Sequence, residues 1–242
     1  MSHNFAESLG NPTNTFVLPF VMEDKVKEAV RSIWRCHVPQ EHRLILIDGI
    51  GMQDFKDRKW LMENCHIYIN SYRNLGPAVA FNLGIEMART KYVTITSDDA
   101  RLIHNTWFVD NIKYLDENPN QIVSTSSIFQ HVHPEDFYVP NKEYTFEDYN
   151  DLDRKYGMRI RGFELTAAVS FKETWEKVNL FPEQRYSYLV DRNLSDAAEA
   201  HGVECIKSGV IFHYGDASHR GKLEGLGRNQ PSGLISEERL AL

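Results

Sequence analysis

The chain has 242 residues, 42% of them hydrophobic and 25% charged, the makeup of a globular protein long enough to bury a sizeable core in one large domain or two small ones. Its 27 basic and 34 acidic side chains leave a net charge of −7, a balance that does not favour nucleic acid or an anionic membrane as a standing partner. No apolar run approaches the ~20 residues that span a bilayer and the polar start MSHNFAESLGNPTNT lacks the parts of a signal peptide, so a cytoplasmic protein is expected.

In chain order, TFVLPF (15–20) reads as a first strand stopped by Pro19. Val26, Ala29, Val30, Ile33 and Trp34 follow at helical spacing and fall on one face. RLILID (43–48) is near-continuously apolar, as in a strand covered on both faces, and ends in Asp48 before the flexible GIG. A helix around 54–63 and a short strand HIYIN (66–70) come next. A second helix begins at Gly76 and Pro77, with Ala78, Phe81, Ile85 and Ala88 on one face.

KYVTITSDDARL (91–102) opens as a strand, carried by Tyr92, Val93 and Ile95, and closes on two adjacent acids, Asp98 and Asp99. Strands alternating with helices over about eighty residues predict right-handed crossovers and a mainly parallel sheet. Ligands bind beyond the carboxyl ends of such strands, so Asp48 and the Asp98/Asp99 pair should meet at one crevice. Two readings of the acid pair stay open on the residues alone, a solvated Asp-rich turn and a cation site.

The second half is less regular. A helix near 105–117, a strand QIVSTSSIF (121–129), a strand-like FELTAAVSF (163–171), the short helix KETWEKVN and a helix over 188–202 stopped by Gly202 are expected. VECIKSGVIFHYG reads as two final short strands. The stretch from His131 to Arg161 looks like an excursion over a site, and the tail from Asp216 like a mobile segment. Cys36, Cys65 and Cys205 form no Cys-x-x-Cys pair and read as small buried hydrophobes.

Four pieces in this order, FVLPFVMEDKVKEAVRSIW, the strand ending in IDGIG, NLGPAVAFNLGIEMARTKYVTITSDDARL and LVDRNLSDAAEAHG, resemble glycosyltransferase family 2 with its GT-A fold. The resemblance runs over roughly residues 15–214. It implies an α/β, Rossmann-like, mainly parallel sheet flanked by helices, in a single GT-A domain over 1–242. Within it, 15–103 would be the nucleotide-sugar-binding half, 104–214 the less regular acceptor-binding half and 215–242 a flexible tail.

It further implies a metal-dependent, inverting transfer of sugar from a nucleotide diphosphate, a UDP-sugar first of all, to a hydroxyl of a glycan, glycolipid or small molecule. By this resemblance Pro19, Phe20, Val21 and Glu23 lie by the nucleoside, Asp48 accepts a hydrogen bond from the base, and Asp98 meets the ribose or a metal-bound water. Asp99 would hold Mn2+ or Mg2+, with His213 as a further metal or phosphate ligand. Asp191 would be the base, and Arg73, before a glycine-led helix, could grip the pyrophosphate as a charge-assisted fork.

The motif departs from the family pattern at two points, where Ser97 stands for the first acid of Asp-x-Asp and Val190 for the Glu before the base. Two other functions stay in view, a sugar nucleotidyltransferase and a non-catalytic nucleotide-sugar-binding protein. The nucleotidyltransferase usually carries a glycine-rich, arginine-containing loop where this chain has PFVMED. Of the remaining candidates, His131 and His133 read as solvent-facing, Trp107 and Trp175 as core or packing residues, and His219, Arg220 and Lys222 as part of the mobile tail. A homo-oligomer is compatible with all of this.

Overall fold

Strand β1 (Asn14–Phe20) sends Phe16, Leu18 and Phe20 to one side and Val17 to the other, as the two-residue period of a strand requires. Both sides are buried, so helices must cover each. In the computed structural model, which describes residues 11–37, 40–51, 55–72, 74–102, 106–129, 166–178 and 190–213, they do.

The remaining strands are β2 (His42–Asp48), β3 (Ile67–Asn70), β4 (Tyr92–Thr96), β5 (Ala100–Arg101), β6 (Gln121–Phe129), β7 (Ala167–Phe171) and β8 (Glu204–His213). The helices are α1 (Glu23–Cys36), α2 (Arg58–Glu63), α3 (Pro77–Met87), α4 (Thr106–Glu117), α5 (Lys172–Lys177) and α6 (Val190–Ala200). One apolar cluster joins β1 and β2 to Val26, Val30 and Ile33 of α1, Leu61 of α2 and Phe108 of α4. The other joins Val17, Ile45 and Ile95 to Phe81 and Ile85 of α3, Trp175 of α5 and Leu194 of α6. The result is a sheet between two helical layers.

The sheet has eight strands in the order β3-β2-β1-β4-β7-β6-β8-β5. The first four are parallel, as the strand–helix alternation predicts. β7 enters antiparallel between β4 and β6, β8 runs parallel to β6, and β5 pairs antiparallel with β8, which makes the whole sheet mixed.

Three local expectations differ from what is observed. Pro19 does not stop β1, since it sits in register with Ile47 of β2. The ladder to β4 ends at Val17, so at Pro19 the strand is bonded on one side only, a setting in which proline is tolerated. The last strands are one: β8 runs on through Gly209, and the register slips where Ser124 faces Lys207 but Ser126 faces Val210. Glycine here marks a bulge rather than a break. α2 begins only at Arg58, later than the start near 54 that the sequence suggests.

Candidate functional site

After Thr96 the chain leaves the sheet through Ser97, Asp98 and Asp99 and re-enters it as β5, where Ala100 pairs with His213. The acid turn is thus held beside the end of β8. Both acids are buried, Asp98 at 6% and Asp99 at 4% exposure, which excludes a solvated turn. Asp98 Oδ2 accepts hydrogen bonds from the backbone N–H of Val21 (2.7 Å) and Met22 (2.8 Å), in the loop between β1 and α1. Met22 is the N-cap of α1 and has no capping side chain of its own, so a carboxylate 76 residues away satisfies amides that the helix start leaves over.

Arg101 ties the same two segments a second time. Its guanidinium donates to the carbonyls of Ala100 (2.8 Å) and of Lys25 in α1 (3.1 Å) while remaining buried. Burial, and then the charge of Asp99, push the Asp98 carboxyl up to about 6, although the two loop amides pull the other way. Two acids share this desolvated turn, with the Arg101 guanidinium bonded to carbonyls beside it. Hard oxygen donors suit Mg2+ or Mn2+, ions that complete their shell with phosphate oxygens and water, so the residues present fit such an ion. Among the described residues no group of three His, Cys, Asp or Glu lies together as a metal cluster.

Asp48, at the tip of β2, is fully buried. Its Oδ1 accepts from Ile50 N–H (2.9 Å), and its Oδ2 from the Tyr68 hydroxyl (2.5 Å) and from Arg58 Nε (3.2 Å), with Arg58 Nη2 in ion-pair contact at 3.1 Å. Arg58 Nη2 also donates to Gly51 C=O (3.0 Å), and its guanidinium lies 4.8 Å from the Phe55 ring centroid. Burial and the bond to Asp48 hold the Tyr68 phenol well above its usual pKa. The carboxylate therefore braces the β2–α2 loop against β3. To take a base N–H it has to exchange one of these donors, since most of its lone-pair positions are filled.

The loop tips of β1, β2 and β3 lie close together. Gly49 donates to Phe20 C=O (2.8 Å), and a Cβ on it would come within 2.9 Å of Val21 Cγ1 and 3.7 Å of Asn74 Cα. Ser71 donates to the Asp48 carbonyl from both its N–H (3.0 Å) and its hydroxyl (2.7 Å). Pro19 and Val21 are half-buried and Glu23 is exposed at the first position of α1. Phe20 turns its ring into the core, 6.0 Å from Phe55 and 6.2 Å from Tyr68, so only its backbone faces the crevice.

Asp191 lies in the first turn of α6, half-buried, and its carbonyl accepts from Ser195 Oγ (3.1 Å). His213 is placed by its backbone, opposite Ala100. Asn82, within α3, is half-buried. Trp175 is a core residue, its Nε1 donating to Val93 C=O (3.1 Å). Arg73, His131, His133, His219, Arg220 and Lys222 lie outside the described residues, as does the side chain of Trp107. Cys65 is buried and Cys36 and Cys205 half-buried, with thiols pushed up to about 12, 12 and 11 mainly by burial, inert as expected of space-filling groups. Sequence reasoning missed Arg58, Tyr68 and Arg101. Arg58 opens α2, Arg101 closes β5 and Tyr68 lies one residue inside β3, and nearness to an element's end is the only signal the sequence carries for them.

A family model described as "Glycosyl transferase family 2" matches residues 53–175. The chain is similar in structure to a mannosyltransferase of Pyrobaculum calidifontis solved with GDP-Man and Mn2+, at 16% identity and a TM-score of 0.61, covering 94% of this chain and 67% of that one. It is also similar to GalNAc-T7 solved with UDP, GalNAc and Mn2+, at 11% identity and a TM-score of 0.60, covering 85% of this chain and 44% of that one. S. aureus TarS, residues 1–349, gives 13% identity and a TM-score of 0.58, covering 91% and 67%. The chain thus spans about two thirds of the first and third of these proteins and less than half of the second. No curated protein sequence matches it significantly.

Proposed function

Because the chain belongs to glycosyl transferase family 2 and has the GT-A fold, we propose that it transfers a sugar, with inversion, from a nucleotide diphosphate to a hydroxyl acceptor. The donor is a UDP-sugar, the cofactor Mn2+ or Mg2+, and the acceptor a glycan, glycolipid or small molecule. The single observation that carries this reading is the buried Asp98/Asp99 turn, bonded through Asp98 to the β1–α1 loop and set beside the end of β8.

In this reading Asp99 and His213 hold the cation, and the backbone of Pro19, Phe20 and Val21 borders the nucleoside, with Glu23 beside it. Asp98 keeps that loop in register with the acids. Arg73 grips the pyrophosphate, and Asp48 receives the base N–H when Tyr68 or Arg58 yields. The cation, when bound, offsets the negative charge that develops on the departing diphosphate. Asp191 takes the proton of the acceptor hydroxyl while its oxygen bonds to the anomeric carbon; the bond from that carbon to the diphosphate oxygen breaks, and the electron pair leaves with the diphosphate. Residues 15–103 bind the donor and 104–214 the acceptor.

The test is a panel of nucleotide sugars, with and without Mn2+, read first as thermal stabilisation and then as transfer. A ligand that binds only the folded chain raises its melting temperature by mass action. At least one donor should stabilise the chain only with metal, and Asp99→Asn should remove that dependence. Asp191→Asn should keep donor binding and lower transfer by about 10²-fold or more, the scale of a lost general base. No stabilisation by any donor, with or without metal, would sink the proposal. Equal turnover in Asp191→Asn would remove that residue from its role.

A further inference from the structure

The acid turn is unevenly anchored. Upstream it leaves β4, which is paired on both sides, with β1 and with β7. Downstream it runs into β5, two residues long at the outer edge of the sheet and paired among the described residues with β8 alone. Two ladder positions hold little, since even a full-length pair of strands is marginal on its own. α1 supplies the rest of the anchorage. Arg101 Nη2 donates to Lys25 C=O (3.1 Å) in the first turn of α1. Further along, Leu102 N–H donates to Ser32 Oγ (3.1 Å), which donates onward to Ala29 C=O (2.7 Å).

The two straps differ in what they touch. The Ser32 strap ends on Leu102, three residues past Asp99. Arg101 reaches back into the turn itself. Its Nη1 donates to Ala100 C=O (2.8 Å) and, at 3.5 Å, to Asp98 C=O, the carbonyl of the peptide that precedes Asp99. The peptide that follows Asp99 is held by the Ala100 N–H on Ser97 C=O (3.2 Å). Asp98 is thus fixed through its carboxylate, on the Val21 and Met22 amides, and Asp99 through the peptides on either side of it. Arg101 is itself only 8% exposed. Burying a guanidinium is costly, and an apolar side chain packs without that cost. What arginine alone brings is a planar fork that spans carbonyls of two segments at once.

We infer that Arg101 is a positioning residue for the cation: its fork fixes the backbone around Asp99 and so aims that carboxylate, acting through Asp99 rather than on the metal. This rests on the metal-dependent reading above. The sign of the effect is diagnostic, because a positive charge beside a cation site weakens binding by electrostatics alone, whereas a positioning residue strengthens it.

The test is titration of Mn2+ into the unaltered chain, Arg101→Lys, Arg101→Met and Ser32→Ala, with and without excess UDP. Binding is read as loss of the free-ion electron paramagnetic resonance signal beyond that taken up by UDP alone, and melting temperatures are measured alongside. Loss of a residue that orients a metal ligand costs about 10–100-fold in metal affinity, so Arg101→Met should raise the Mn2+ Kd by about tenfold or more. Arg101→Lys keeps the charge but not the fork and should weaken binding with Arg101→Met; it carries the comparison if Arg101→Met does not fold. Ser32→Ala leaves the Leu102 amide without its partner and should melt earlier, yet bind Mn2+ as the unaltered chain does. Unchanged affinity in the Arg101 variants overturns the inference and leaves the metal reading standing. Tighter binding in Arg101→Met overturns it in favour of a charge that opposes the cation, and unaltered binding in Arg101→Lys alone overturns it in favour of charge over geometry. An equal loss in Ser32→Ala overturns it in favour of a general loosening of β5. Failure of the unaltered chain to bind Mn2+, with or without UDP, overturns the metal reading and the inference together.

Discussion

Two buried carboxylate sites among the described residues show how differently one residue type can be used. Asp48 has protein donors on both oxygens, while Asp98 gives one oxygen to two amides and shares a desolvated turn with Asp99. A buried acid with donors on both oxygens is a brace, and two acids held side by side present the oxygen donors that suit a cation. The first statement has a direct check. Tyr68→Phe removes one donor from a fully buried carboxylate and should destabilise the chain by about 1–3 kcal/mol, read as a lower urea midpoint at unchanged slope. The β2–α2 loop should loosen with it, because Arg58 then carries the Asp48 charge with only the Ile50 amide to help. An unchanged midpoint would mean that water replaces the phenol and that the bracing role is wrong.

At the scale of elements, α3 owes its place to an absence of side chain. Gly84 faces β1 so closely that a Cβ would fall 2.1 Å from Val17 Cγ1 and 2.9 Å from Cγ2. Gly84→Ala improves intrinsic helix propensity by about 1 kcal/mol, yet overpacking should outweigh it and leave a net loss of about 1–2 kcal/mol. Adding Val17→Ala should make the alanine at 84 better tolerated than it is alone, which a double-mutant cycle in urea would register as coupling. A stabilised Gly84→Ala would show that the helix can shift outward at no cost. Gly84 is visible in the sequence of α3, but its reason is this contact, and a contact across 67 positions is not.

The same division holds for the rest of the fold. β1 to β4 and α1 and α3 were legible because each is a long apolar pattern of one period, and consecutive strands covered by helices must pair in parallel. Pro19 does not stop β1, and the two strands expected over VECIKSGVIFHYG are one, because the effect of a proline or glycine depends on which neighbour is bonded at that point. β5, two residues long, has no period to detect. In the site, the acids at the strand ends were visible as charge following an apolar run. The bonds from Asp98 to Val21 and Met22 depend on a crossover bringing the ends of β1 and β4 side by side, and no local pattern carries that.

For the whole molecule, no helix among the described residues is long and apolar enough to cross a membrane, and the layered core supplies the stability. That core contains ionisable groups which set its response to acid. His42 is buried on β2 among aromatic rings, 4.9 Å from Phe108 and 5.6 Å from Phe16, and burial lowers its pKa to about 4. His66, lowered to about 4 by burial and then by the charge of Arg43, accepts the Leu44 N–H on Nδ1 (3.1 Å), a bond that protonation of that nitrogen breaks. Both are neutral in the folded chain where the unfolded chain would be charged, so their contribution is complete above about pH 6.5 and is lost as pH falls towards 4. For His42 the displacement from 6.5 to about 4 is worth about 3 kcal/mol, and for the more exposed His66 less.

Asp98 works against them, because a carboxyl raised to about 6 favours the folded state more as pH drops through 6 towards its ordinary 3.8. Two histidines against one acid leave a net loss, so without metal the unfolding free energy should fall between pH 6.5 and 4. His42→Phe, which keeps an aromatic ring in an aromatic cluster but removes the titration, should flatten that fall by about 2–3 kcal/mol while changing stability at pH 7.5 far less. Urea unfolding at a series of pH values on both proteins measures it. If the two curves stay parallel across the window, His42 does not titrate between the states, and the acid response of the molecule has to be sought outside this aromatic cluster.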